Sequence, residues 1–174
     1  MGLRTASRWT WTFPIAFWAN AAGAEGLDGL TLTMWIELRD RGGRVLASAE
    51  PRSAVVGEGP EFGFDASDSD NGYRAAASEV DVAGDRLTIT YGPDRTASGT
   101  ERLGGFNGFV LTFAGADCAT FTGGALDAGA TTIALPPERV RVGADRVEID
   151  VDGVPRGPGD RIAVTLSLGD CLIG

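Results

Sequence analysis

LTLTMWIELR, residues 30 to 39, alternates without a fault. In an extended chain Leu30, Leu32, Met34, Ile36 and Leu38 fall on one side, and Thr31, Thr33, Trp35, Glu37 and Arg39 on the other. Successive side chains of a strand point to opposite faces, so this period describes a strand with one face in a core and one toward water. GRVLASAE, residues 43 to 50, follows as a second strand after an Arg-Gly-Gly turn. SEVDV, RLTITY, FNGFVLTF, TTIAL, ERVRV, VEIDV and RIAVTLSL come later, parted by Gly, Pro and Asp clusters, and no segment carries a 3.6-residue stripe. Short strands at this spacing predict an all-β chain, an antiparallel β-sandwich of jelly-roll or Ig-like type with about 8 to 10 strands.

Two of these units repeat each other: EVDVAGDRLTITY from Glu79 and RVRVGADRVEIDV from Arg139. Each reads as a hairpin. With Gly143 to Arg146 as the turn, Val142 faces Val147, Val140 faces Ile149, Arg141 faces Glu148 and Arg139 faces Asp150. Apolar residues then meet on one side and opposite charges on the other, which a one-residue slip would undo. The same register sets Val82 opposite Leu87 and Val80 opposite Ile89.

The first 24 residues differ from the rest. Arg4 and Arg8 precede WTWTFPIAFWANAAGA, which ends in Ala22-Gly23-Ala24. Basic, then apolar, then small-x-small is the order of a secretory signal peptide cleaved after Ala24. The run is too short to cross a bilayer, and Pro14 and Asn20 interrupt it. A buried N-terminal strand or helix is the competing reading. The expectation is an exported protein, periplasmic or extracellular, with residues 25 to 174 as a single β-sandwich domain.

Composition narrows the chemistry. The formal charge is −9 and becomes −11 once Arg4 and Arg8 are removed. So acidic a chain repels phosphate backbones, which argues against nucleic acid or an anionic membrane as partner. The sequence holds no histidine, and all 15 basic residues are arginine. That excludes Ser-His-Asp and Cys-His nucleophiles, imidazole metal sites, a lysine Schiff base and a phosphate-binding loop. Cys118 and Cys171, the two cysteines of the chain, read as one disulfide in an oxidising compartment, against two separate buried thiols.

Three features carry candidate chemistry. FGFDASDSDNGYR, residues 62 to 74, is dense in hard oxygen ligands, and Asp65, Asp68 and Asp70 with the Asn71 side chain would suit a loose calcium site. It fails the helix-loop-helix calcium pattern where the glycine must turn, and it reads equally as an exposed Asp/Ser/Asn/Gly connection whose side chains cap their own backbone. No other cofactor is expected. Glu148, Asp150 and Asp152 share one strand face at about 7 Å spacing, inside the separation of an inverting glycosidase pair. The hairpin register sets arginines opposite two of them, so a charge-paired outer face is the simpler reading, and no catalytic residue is assigned. Trp35, on the polar side of its strand, is the candidate ligand contact, since an exposed indole can stack on a sugar or anchor a partner.

GGFNGFVLTF, LPPERVRVGADRVEIDVDG and PGDRIAVTLSL, together with VVGEGPEFGF and the VDVAGDRLTITY hairpin, resemble a β-sandwich domain of exported bacterial proteins, many of which carry the PEP-CTERM sorting tail. The likeness spans roughly residues 54 to 168 and rests on strand patterning around a Phe-Asn-Gly kernel. It implies a secreted sandwich associated with exopolysaccharide or surface matrix, and it carries over no functional residue. LGDCLIG, at the C-terminal end, holds no Pro-Glu-Pro box. The expectation is therefore a non-enzymatic exported protein that binds extracellular polysaccharide or a surface protein. The alternative is a carboxylate-dependent polysaccharide hydrolase.

Overall fold

The computed structural model describes residues 26–63, 77–93, 104–115 and 120–169. They form two antiparallel sheets packed face to face, as the alternation predicts. In chain order the strands are β1 (Thr31–Arg39), β2 (Val45–Ser48), β3 (Arg52–Val55), β4 (Ser78–Ala83), β5 (Arg86–Tyr91), β6 (Phe106–Ala114), β7 (Phe121–Leu126), β8 (Val140–Val142), β9 (Arg146–Asp150) and β10 (Arg161–Leu168), with a 3₁₀ turn at Pro137–Arg139. The larger sheet runs β2-β1-β6-β9-β8, and β3 continues along the same edge of β1 as β2. The smaller runs β4-β5-β10-β7.

The apolar face of each strand makes the core. Leu32, Met34 and Ile36 of β1, Phe109, Leu111 and Phe113 of β6, and Val147 and Ile149 of β9 look across at Val80, Val82, Leu87, Ile89, Ile162, Val164 and Leu166. All are buried, and each contributes about 1.5 to 3 kcal/mol by leaving water. Phe113 and Phe121 meet edge to face at 5.1 Å and tie β6 of one sheet to β7 of the other.

Both hairpins keep the register read from the sequence. Val142 pairs with Val147, Arg141 with Glu148 and Val140 with Ile149. Val82 pairs with Leu87 and Val80 with Ile89. In that hairpin pairing runs on to Ala83 and Arg86, leaving Gly84 and Asp85 as the loop. Gly84 has φ 63°, the positive value that a two-residue hairpin needs at its first position.

Elsewhere the pattern misleads. TTIAL, residues 131 to 135, alternates but is not a strand. It is a connection whose Ile133 and Leu135 plug the core, while Thr131 and Thr132 bond to β10 with their hydroxyls. FTGGAL forms β7 although alternation does not predict it, because Gly123 and Gly124 interrupt the pattern. Gly124 there lies so close to β8 that a Cβ would stand 2.8 Å from Val142 Cγ2. The single strand expected at residues 43 to 50 is the first half of an edge that Pro51 breaks, since proline cannot donate to a ladder.

Candidate functional site

The outward face of the larger sheet gathers the chain's polar chemistry. Trp35 of β1 pairs with Val110 of β6, which pairs with Glu148 of β9, which pairs with Arg141 of β8. One row along, Glu37 pairs with Gly108 and Gly108 with Asp150. Beyond that Arg39 pairs with Phe106. Direct partners on antiparallel strands share a face, so these side chains form one continuous surface. Gly108 lets the sheet close there, as a Cβ would stand 1.8 Å from the Ile149 carbonyl oxygen.

Arg39 organises this surface. Its Nε donates to Glu37 Oε1, and its Nη2 reaches over β6 to donate to Glu148 Oε1 at 2.8 Å. Arg146 donates to the same oxygen through Nη2 at 2.7 Å and Nε at 3.1 Å, and Arg141 lies 3.9 Å from Glu148 Oε2. Trp35 Nε1–H donates to Glu37 Oε2 at 2.7 Å. Arg146 sits over the indole at 5.5 Å, and Arg39 over the Phe106 ring at 4.5 Å. Beneath this roof Val110 is fully buried although it points away from the main core.

The charges are fixed by these contacts. Burial pushes the Glu37 carboxyl up, but its bonds from Arg39 and Trp35 outweigh that and hold it below the usual range. Glu148 follows the same balance: burial raises it, and Arg39 and Arg146 bring it down. Arg39 is held charged, chiefly by its bond to Glu37. Asp150 is buried, accepting from Arg139 Nη1 at 2.6 Å and from the backbone N–H groups of Asn107 and Asp152. Arg139 also donates to the Asp152 carbonyl.

At the end of this face opens a cleft of about 470 Å³ lined by Asp40, Arg41, Gly104, Gly105, Arg139, Asp150 and Asp152. Asp40 is occupied by its own turn, where Oδ1 accepts from the N–H groups of Gly42 and Arg44. Gly104 and Gly105 are there because the chain passes against the β1–β2 turn: a Cβ on either would stand 2.2 or 2.5 Å from the Arg39 or Asp40 carbonyl oxygen. Among the described residues no cluster of His, Cys, Asp and Glu has the geometry to hold a metal.

Of the residues singled out from the sequence, Trp35, Glu148, Asp150 and Asp152 therefore come together at or beside one surface. Trp35 is half-buried and engaged on its N–H and one ring face, not a free platform. Asp65, Asp68 and Asp70 lie outside the described residues, as do Cys118, Cys171 and residues 1 to 24. Glu37, Arg39 and Arg146 were not singled out. Alternation did put Glu37 and Arg39 beside Trp35, but nothing local says that β6 and then β9 lie next to β1. No protein family, curated protein or solved structure matches this chain. Among the described residues no helix is long and apolar enough to cross a membrane.

Proposed function

We propose that this chain is an exported, non-catalytic β-sandwich that binds extracellular polysaccharide through the outward face of its larger sheet. One observation carries the reading. Glu37, Glu148 and Asp150, three of the four carboxylates on that face, are each held by an arginine. A general acid must be kept protonated near working pH, whereas Glu37 and Glu148 are driven the other way. Neither Glu37 nor Glu148 is suited to the acid role that a carboxylate-dependent hydrolase requires.

A binding role suits the same arrangement. Arg39, Arg139, Arg141 and Arg146 stand there against Glu37, Glu148, Asp150 and Asp152, so the face is balanced while the whole chain carries −9. An array of guanidinium donors in fixed positions, with an indole edge beside it, offers hydroxyl-rich and anionic polymers several contacts at little cost in side-chain entropy. The basic-apolar-small order of residues 1 to 24 supports export. The resemblance to matrix-associated sandwiches points to the same compartment.

The test is a polysaccharide array run in parallel with a screen for released reducing ends. Retention without hydrolysis is expected. Arg141→Glu, at a side chain 68% exposed, is expected to weaken retention with no change in melting temperature. Hydrolysis abolished by Glu148→Gln would establish the hydrolase instead. Capture by surface protein with no glycan retained would replace the polysaccharide as partner.

A further inference from the structure

The outward face of the larger sheet balances in the number of its charges and not in their depth. The Arg141 side chain is 68% exposed and that of Arg146 39%, whereas Glu148 between them is 16% exposed and Glu37 only 8%. The carboxylates lie low and the guanidiniums stand above them. Around Glu148, three arginines (Arg39, Arg141 and Arg146) meet two carboxylates, Glu37 and Glu148, which leaves one positive charge in excess.

Donors are left over as well. Glu148 Oε1 is filled by Arg39 and Arg146, and Arg141 reaches only Oε2 at 3.9 Å, an ion pair too long for a hydrogen bond. Among the described residues Arg141 makes no hydrogen bond, so the fork of its guanidinium is unspent. The aromatic rings offer a neutral sugar less. Phe106 is buried beneath Arg39, and Trp35 is half-buried beneath Arg146 with its N–H given to Glu37. The cleft beyond carries the opposite sign, since Asp40, Asp150 and Asp152 outnumber Arg41 and Arg139 on its walls.

We infer that the polysaccharide bound by this face is an anionic one, and that an oxyanion of its sugar units, carboxylate or sulfate, docks on Arg141 and Arg146 above Glu148. The anion site rests on the polysaccharide reading of the face and narrows it to one class of ligand. Two guanidiniums over one sunken carboxylate match the several acceptor oxygens of such a group. Little side-chain freedom is lost at Arg146, which two bonds to Glu148 already fix. The negative charge of the rest of the chain is screened beyond about 8 Å at physiological salt, so it does not forbid the contact.

The test is retention of the full chain on polygalacturonate and dextran sulfate, set against carboxyl-reduced polygalacturonate and plain dextran. Retention on at least one charged polymer is expected, and its neutral counterpart should be held at least about fivefold more weakly. Which charged polymer is retained tells carboxylate from sulfate. Arg141→Gln should weaken that retention about fivefold with no change in melting temperature, and Arg141→Lys should recover part of it. Arg86→Gln, which removes the same charge from the outer face of the other sheet, should leave retention unchanged. Neutral polymers held as tightly as the charged ones would overturn the anion site and leave polysaccharide binding standing, as would charged-polymer retention indifferent to Arg141→Gln in a folded protein. A chain held by none of the four overturns the anion site, and polysaccharide binding falls with it only when the wider array is also empty.

Discussion

Arg39 and Glu148 meet across a strand that belongs to neither: Nη2 lies 2.8 Å from Oε1, although 109 residues separate them in sequence. The contact makes β1 and β9 answer to each other over β6, and it closes the roof above Val110. Arg39 also holds Glu37, so replacing it strips a partner from two carboxylates at once, leaving Glu148 with Arg146 and Glu37 with the Trp35 N–H. Arg39→Met is expected to destabilise the fold by about 2 kcal/mol, because Glu37 loses its guanidinium and Glu148 one of its two hydrogen-bonding arginines. Chemical denaturation decides this. A loss below about 0.5 kcal/mol would show the network to be surface decoration.

The same network sets an acid limit. Glu37 and Glu148 have folded values below their unfolded ones, so in acid the unfolded chain binds more protons and stability rises with pH. Their contribution is complete above the unfolded carboxylate value, about pH 4.3, and is lost as pH falls through the lowered folded values. Denaturation midpoints taken from pH 6 downward should drop below that point. Glu37→Gln should flatten the drop while lowering stability at neutral pH. An unchanged slope in the variant would remove Glu37 from the acid response.

How far the sequence announced this depends on range. Period-two alternation made the strands of both hairpins and their registers legible, because the partners lie within a few residues and a slip would bury charge. Asp150 and Arg139 could be paired on that basis alone. The approach of Arg39 to Glu148 could not, since it needs the order β1-β6-β9, which is set by long-range closure. FTGGAL hid a strand for the opposite reason: close contact with β8 demands small residues, and small residues carry no pattern. TTIAL showed the pattern but used it to plug the core from a loop.

Gly108 tests how tightly that strand order is held. Added as alanine, its Cβ would stand 1.8 Å from the Ile149 carbonyl oxygen, and backbone cannot turn aside as a side chain can. Gly108→Ala is expected to cost at least about 3 kcal/mol by forcing β6 from β9. Gly123→Ala is the matched control, for nothing lies within 4 Å of its Cβ and β7 is an edge. Thermal unfolding of the pair should show a large loss for the first and little change for the second. Equal losses would mean that the close approach does not govern the ladder.

Cys118 and Cys171 stand in sequence just beyond the facing ends of β7 and β10. Leu168 pairs with Phe121, and Gly169 N–H donates to the Thr120 carbonyl at 2.9 Å, so β10 and β7 are still side by side where their description ends. Two more residues outward along each chain lead to Cys171 and Cys118. A disulfide needs its two Cα atoms within about 4.4 to 6.8 Å of each other. The bridge would close a loop of about fifty residues and contribute roughly 4 kcal/mol by restricting the unfolded chain. Protein recovered from an oxidising compartment and denatured without reductant should therefore offer no thiol to alkylation. Reduction, or Cys118→Ser, should lower the melting temperature by several degrees. Two alkylated cysteines in the oxidised material would rule the bridge out and leave the end of the sandwich to be held by the β7–β10 ladder alone.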